Sequence, residues 1–238
     1  MPLSRREMLV ASVGTCLAGC GGPPPPLSSR RPGADWPTAV SRPSSASPWE
    51  RQPARSTPPP SVPSPSPYAS MGVIPRSRWT QSGPVGSRIN SMGGIASVTL
   101  HHEGWTPVYF TDAQTTAERI ELVRSIHVDK RGWGDLGYHF VIDRAGRVWE
   151  GRDVRFQGAH VKDHNEHNIG VMVLGNFEQQ RPSSAQVEAM VGVVRTLARQ
   201  YRISPHRVYT HQELRPTACP GRALQPRIAS LRSAGYFA

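Results

Sequence analysis

The amino-acid sequence predicts a single α/β domain with a central mixed β-sheet and helices on both faces. Short apolar strands alternate with segments of helical periodicity, and residues 169–174 are almost continuously apolar. Alternating strands and helices favour a sheet flanked by helices. A strand without polar alternation is typical of a sheet centre that is covered on both sides. We expect this domain to occupy residues 69–238, a length that suits one hydrophobic core.

Five segments of the sequence predict strands. Residues 95–101 run into β-branched residues, and residues 169–174 form the apolar strand noted above. Residues 138–142 and 148–150 flank Asp143-Arg144-Ala145-Gly146, which is a good hairpin turn. Residues 208–211 predict a short last strand. Two histidines, His101 and His211, therefore stand at predicted strand ends.

Three segments predict helices. The first covers residues 112–131, with Thr111 or Asp112 as its N-cap. Ser183 and Gln186 form a capping box that opens a helix through about residue 200. A last helix is predicted over residues 222–233. The apolar positions with helical spacing in the first helix are Ala117, Ile120, Val123 and Ile126.

The first nineteen residues resemble an export signal. Arg5 and Arg6 precede an apolar run that is too short to span a bilayer. The following Leu17-Ala18-Gly19-Cys20 resembles a bacterial lipobox, in which Cys20 is lipidated and becomes the mature N-terminus. The alternative is a cleaved secretory peptide in which Cys20 has no role. The segment Ser4-Arg5-Arg6-Glu7-Met8-Leu9 also resembles a twin-arginine signal. We expect an exported bacterial lipoprotein that is anchored in a membrane and faces the periplasm or cell wall.

Residues 20–68 predict a disordered tether between the anchor and the domain. Fifteen of the 24 prolines lie between Pro23 and Pro67, interleaved with Ser, Arg and Gly. A stretch so poor in large apolar residues cannot bury enough surface to offset its ordering entropy.

Cysteine usage and charge narrow the class of protein. Cys16 would leave with the signal and Cys20 would carry lipid, so Cys219 has no disulfide partner in an exported domain. An unpaired thiol outside the cytoplasm is an oxidation liability unless it is buried or holds a metal. The net charge of +11 favours anionic polymers such as cell wall or lipid headgroups. We expect no nucleic-acid partner, because no nucleic-acid motif is visible.

Two imidazoles and one thiol, from His101, His211 and Cys219, make a plausible zinc set. Three protein ligands leave a fourth tetrahedral position for water, as in catalytic zinc sites. Zinc in such a site lowers the pKa of bound water to about 7 and polarises a carbonyl, which amide hydrolysis requires. An N₂S set can also accept cobalt or copper in vitro.

Five short motifs occur in order along the chain, namely Leu100-His101-His102, Gly137-Tyr138-His139-Phe140, Gly158-Ala159-His160, Asn168-Ile169-Gly170 and Ala218-Cys219-Pro220. In this order and at this spacing, they resemble the peptidoglycan recognition protein and phage lysozyme-amidase family of zinc-dependent N-acetylmuramoyl-L-alanine amidases. The segment 74–79 is similar to the opening of the recognition-protein domain, and the resemblance covers about residues 70–235.

The resemblance implies roles for individual residues. It implies that His101, His211 and Cys219 bind Zn²⁺, that Tyr138 orients water or moves a proton, and that Thr217 donates to the oxyanion. It also implies substrate contacts in the cleft, for which the candidates are His160, Asn165 and Asn168.

The implied function is hydrolysis of the amide between N-acetylmuramic acid and L-alanine in peptidoglycan or muropeptides, by a monomer. A non-catalytic module that binds peptidoglycan is the alternative, but family members of that kind typically lack the zinc cysteine. Cytoplasmic recycling of wall fragments is a third possibility, against which the export signal argues. No Gly-x-Ser-x-Gly elbow is visible, so a metal-free serine hydrolase is disfavoured.

Overall fold

The computed structural model describes Tyr68 and residues 72–238. The predicted export signal, the lipidation site at Cys20 and all of the tether except Tyr68 lie outside these residues. Within them, no helix combines the length and apolar character needed to cross a membrane.

The described residues fold around a five-stranded mixed sheet, as predicted, with the strand order β3-β2-β4-β1-β5. The hairpin partners β2 and β3 are antiparallel, and every other neighbouring pair is parallel. The longest strands, β1 and β4, pair at the centre, where both faces are covered. The strands are β1 (Ser97–His102), β2 (Phe140–Ile142), β3 (Val148–Glu150), β4 (Asn168–Val173) and β5 (Val208–Thr210).

Within residues 72–238, four α-helices flank the sheet, namely α1 (Ala113–Ser125), α2 (Ser184–Tyr201), α3 (His211–Leu214) and α4 (Gln225–Ser233). The predicted caps are confirmed. The Asp112 carboxylate accepts from the Thr115 backbone N–H at 2.7 Å, and Ser183 and Gln186 form their capping box.

Three predicted boundaries differ in the structure. The first helix is α-helical only to Ser125 and continues as a π-helical turn over Ile126–Lys130. The last helix begins at Gln225 rather than residue 222, because Gly221 and the residues around it form tight turns. His211 opens α3 instead of ending a strand.

Strand β1 alternates between the two faces of the sheet. Leu100 is in register with Val171 and Phe140, and this row faces the core formed with α2 and α4. The next row begins with His101, which is in register with Met172 on the opposite face. There Met172 packs with α1 in a second, smaller core. His101 therefore stands on the α1 face, at the carboxyl end of a central strand.

Tyr68, the last residue of the predicted tether, is buried in the core beneath α2. Its ring meets Phe140 edge to face at 5.0 Å between centroids, and its hydroxyl lies 2.7 Å from the hydroxyl of Tyr201. The folded domain therefore includes Tyr68.

Candidate metal centre

The carboxyl edge of the sheet brings the two predicted histidine ligands together. In the register of β1 and β5, Leu100 pairs with Thr210, so the residues that follow them, His101 and His211, are neighbours. Their ring centroids are 4.8 Å apart. A parallel pair of strands thus places residues 110 positions apart in sequence at one edge.

The loop after α3 returns Cys219 to the same point. The backbone N–H of Gln212 donates to the carbonyl of Cys219 at 3.0 Å, which folds the loop against the start of α3. The Cys219 Sγ lies 3.6 Å from His101 Nδ1, and the backbone N–H of His102 donates to the same sulfur at 3.4 Å.

The three donors fit a zinc ion. The ligand atoms of His101, His211 and Cys219 all lie within 4.8 Å of one another. Zinc–sulfur and zinc–nitrogen bonds of about 2.3 and 2.1 Å at a tetrahedral angle separate the two ligand atoms by about 3.6 Å. This is the separation of Cys219 Sγ and His101 Nδ1. Among the described residues, this is the one group of three potential metal ligands whose ligand atoms converge.

The protonation states of these three side chains also favour the binding of a cation. Burial holds the pKa of His101 well below its usual value, and burial lowers the pKa of His211 too, so both imidazoles are neutral at pH 7. Burial raises the pKa of the Cys219 thiol to about 12. A buried thiolate is costly without a compensating positive charge, which a bound metal ion supplies.

Tyr138 and Thr217 both lie near the three ligands. The Tyr138 ring is 5.1 Å from that of His101, and burial raises the pKa of Tyr138, so its phenol keeps its proton and can donate a hydrogen bond. The Thr217 hydroxyl is exposed and accepts from the Cys219 backbone N–H at 3.2 Å, so its proton is left to donate elsewhere.

An open cleft of about 520 Å³ lies beside the ligand group. His211, Thr217 and Trp133 form part of its wall, together with three cationic side chains, Arg131, Lys162 and Arg215. Arg215 bonds to Asp163 at 2.6 Å across the rim, whereas Arg131 and Lys162 have no ion pair among the described residues. A larger groove of about 760 Å³, between residues 178–187 and 222–227, has no metal-group residue in its wall.

The three predicted substrate contacts are placed differently from one another. His160 and Asn165 border the cleft, and the Asn165 side-chain oxygen accepts from the backbone N–H groups of His160 and Val161. Asn168 is buried, and its amide contacts Thr99 and the His164 carbonyl. Their contact with substrate stays a prediction.

The sequence reasoning missed the cationic walls of the cleft. Arg131 stacks on Trp133 at 5.1 Å, and Lys162 lines the same cleft. The surplus of positive charge was visible in the sequence, but the side chains that carry it to the cleft were not. Glu213, two residues after His211, binds Arg232 on α4 at 2.7 Å.

His102 packs away from the group. Its ring stacks on Phe177, and its Nδ1 accepts from the Phe177 backbone N–H at 3.2 Å. Alternation along β1 turns the His102 side chain to the face opposite that of His101.

Comparison with known proteins identifies curated relatives in animals. The N-acetylmuramoyl-L-alanine amidase of Sus scrofa is 33% identical over 154 residues, which cover 64% of this chain and 26% of that protein. This chain thus matches about a quarter of the pig enzyme's length. Peptidoglycan-recognition protein SC2 of Drosophila melanogaster is 29% identical over 150 residues, 63% of this chain and 80% of that protein.

Solved structures share the fold. Drosophila PGRP-LB superposes with a TM-score of 0.61 at 25% identity, covering 70% of this chain and 95% of that one. The ectodomain complex of PGRP-LCa and PGRP-LCx bound to tracheal cytotoxin contains a chain with a TM-score of 0.60 at 27% identity, covering 66% of this chain and 93% of that one. Residues 92–222, more than half of the chain, match the family described as N-acetylmuramoyl-L-alanine amidase. With its fold, its motifs and this match, the chain belongs to the amidase type 2 family, together with the peptidoglycan recognition proteins.

Proposed function

We propose that the domain is a zinc-dependent amidase that hydrolyses the bond between N-acetylmuramic acid and L-alanine. The observation that carries this proposal is the convergence of His101, His211 and Cys219 beside an open cleft. Bound there, Zn²⁺ would supply a Lewis acid that activates water near neutral pH and polarises the amide carbonyl.

The chain's own residues supply orientation and hydrogen bonds. The Tyr138 phenol, which burial keeps protonated, lies against His101, where it can orient the attacking water, donate its own proton to the leaving amine and take up the water's proton in exchange. The Thr217 hydroxyl, positioned by its bond to the Cys219 N–H, can donate to the developing oxyanion. One such donor is worth about 3 kcal/mol of transition-state stabilisation.

The cleft suits the peptide part of a muropeptide. Stem peptides carry free carboxylates, and Arg131 and Lys162 present two cations to the cleft without an ion-pair partner among the described residues. The relatives PGRP-LCa and PGRP-LCx bind tracheal cytotoxin, a monomeric diaminopimelic acid-type peptidoglycan. We infer a similar class of partner for this chain.

We also propose a cellular location for the domain, based on the N-terminal segment. If Cys20 carries lipid, residues 20–68 would tether a monomeric domain to a membrane and raise its effective concentration near the adjacent wall. The expected location is the periplasm or the cell-wall side of that membrane.

A non-catalytic recognition module is the second candidate. Its support is the similarity to recognition proteins and the built cleft. Binding a muropeptide requires the cleft walls but not a thiol at Cys219. The complete ligand group therefore favours the enzyme.

The test is product release from purified muropeptides, followed by mass spectrometry. The full domain would be used as isolated, after chelation, after zinc restoration and as Cys219→Ser, with His206→Gln on the exposed surface as the matched control. We expect free stem peptide with an L-alanine N-terminus, which is lost on chelation and in Cys219→Ser and unchanged in the control. Tight muropeptide binding without cleavage by the zinc-loaded protein would establish the recognition module instead.

A further inference from the structure

We propose that His160 is a positioning residue that fixes the tautomer and orientation of the metal ligand His101, rather than a group that binds substrate. The inference rests on the proposed metal site. It assigns His160, which borders the cleft, to the support of that site.

The first step is a chain of hydrogen bonds with a defined direction. His160 Nε2 lies 3.1 Å from the carbonyl oxygen of Asn168, and because a carbonyl only accepts, His160 Nε2 carries the proton. In a neutral imidazole the other nitrogen is then an acceptor. His160 Nδ1 lies 3.1 Å from His101 Nε2, which must donate to it.

The second step concerns His101. With its proton on Nε2, neutral His101 presents a bare lone pair on Nδ1. That atom is the one 3.6 Å from Cys219 Sγ. The alternative tautomer would carry a proton at the position where a metal ligand is needed. A hydrogen bond to the distal nitrogen of a ligating histidine sets its tautomer and ring orientation.

The third step excludes a polar contact between His160 and substrate. Both ring nitrogens of His160 are engaged, one with Asn168 and the other with His101. The residue is only 6% exposed, so little of its side chain is open to the cleft. His160 has no free nitrogen with which to bind a muropeptide.

The surrounding backbone holds the ring in place. A Cβ added at Gly170 would lie 2.6 Å from the His160 ring, and one added at Gly158 would lie 2.3 Å from it. Glycine at both positions lets the ring lie between two backbone segments. The motifs 158–160 and 168–170 thus meet at one imidazole and serve the same purpose.

A third histidine secures one of those segments. The Gly170 backbone N–H donates to His139 Nδ1 at 2.9 Å, and His139 Nε2 therefore donates to the Phe156 carbonyl at 3.0 Å. The His139 and His160 rings meet edge to face at 5.9 Å between centroids. His160 is consequently held on a framework that does not depend on the metal.

Two variants separate the roles. His160→Asn puts an amide oxygen near the position of Nδ1 and keeps an acceptor for His101, whereas His160→Leu has similar bulk and no acceptor. Zinc affinity would be measured by competition with a chromophoric chelator, and affinity of the metal-free protein for a purified muropeptide by calorimetry. Lys162→Gln serves as the comparison for a residue in the cleft wall.

We expect His160→Leu to weaken zinc binding about 10- to 100-fold and His160→Asn to recover most of that loss. Muropeptide affinity should stay within about 3-fold of the wild type in both, whereas Lys162→Gln should lower it and leave zinc affinity unchanged. The proposal is overturned if His160→Leu binds zinc normally but loses muropeptide affinity.

A measurement on the unaltered protein covers the case in which His160→Leu does not fold. Nitrogen-15 spectra of the metal-free domain should show His101 protonated at Nε2 and bare at Nδ1. A proton on His101 Nδ1 would contradict the proposal. A wild-type protein that shows this tautomer when metal-free but cleaves no muropeptide when zinc-loaded would refute the proposed amidase activity and still support the role of His160.

Discussion

The two faces of the sheet are built from the same strands and differ in chemistry. The face under α2 and α4 is a continuous apolar core, to which β1 contributes Val98 and Leu100. The face under α1 is apolar only in part, because β1 contributes Thr99 and His101 there, and both are fully buried. One strand thus contributes apolar packing to one face and the candidate metal ligand His101 to the other.

This difference shows how the domain accommodates buried polar groups. On the α1 face each buried imidazole has defined hydrogen-bond partners, so its burial does not leave an unsatisfied group. The apolar face meanwhile supplies most of the buried hydrocarbon. We therefore expect changes on the two faces to affect different properties.

The largest effect is expected from Tyr138→Phe on the α1 face. Loss of the phenol should lower kcat for muropeptide hydrolysis about 10²- to 10³-fold, because a positioned proton donor is removed. Zinc affinity and thermal stability should change little. Steady-state kinetics with Tyr236→Phe, an exposed tyrosine, is the control. A loss of less than 3-fold would show that Tyr138 only packs against His101.

On the apolar face, Leu100→Ala should act on stability. The side chain is completely buried, so its truncation should lower the free energy of unfolding by about 2–5 kcal/mol. Urea unfolding would measure this, and Leu122→Ala on the exposed side of α1 should change it by less than about 0.5 kcal/mol. The folded Leu100→Ala protein should still bind zinc. Loss of zinc binding in the folded variant would show that the faces are coupled.

Acid should destabilise the metal-free domain through the histidines of the α1 face. Burial lowers the pKa of His127 to about 3 and that of His139 to about 4, so the unfolded chain takes up protons first as the pH falls. The stability from keeping these groups neutral is complete above about pH 6.5 and declines toward pH 4. Each should contribute a loss of about 2 kcal/mol between pH 6.5 and pH 5.

Thermal unfolding over this pH range would measure the decline. In the wild type, the Gly137 N–H donates to His127 Nδ1. The side-chain oxygen in His127→Asn can still accept this bond, but asparagine does not titrate. The stability of the variant should therefore fall less steeply with pH. Parallel profiles for the wild type and this variant would show that His127 does not contribute.

The smallest effect is expected at the rim of the cleft. Lys162→Gln should raise KM for a muropeptide with free carboxylates about 3- to 10-fold at low salt and much less at high salt, because an exposed charge is screened. Arg199→Gln, on the exposed surface of α2, is the control. An equal rise in KM at all salt concentrations would indicate that Lys162 acts through loop structure rather than charge.

The sequence alone determined the elements of the fold and the members of the candidate metal group. Apolar and β-branched runs and a hairpin turn identified all five strands, the three longer helices were also predicted, and side-chain caps located the starts of α1 and α2. His101, His211 and Cys219 were found because their motifs occur together. Local chemistry is sufficient here, since caps, turns and strands depend on neighbouring residues.

Only the tertiary structure decided what surrounds those residues. The register of β1 and β5 sets His211 beside His101, and His160 reaches His101 across 59 positions of sequence. The cations of the cleft likewise depend on how distant loops pack. Because a hydrogen bond from His101 to His160 is fixed by the position of two folded segments, no local pattern in the chain specifies it.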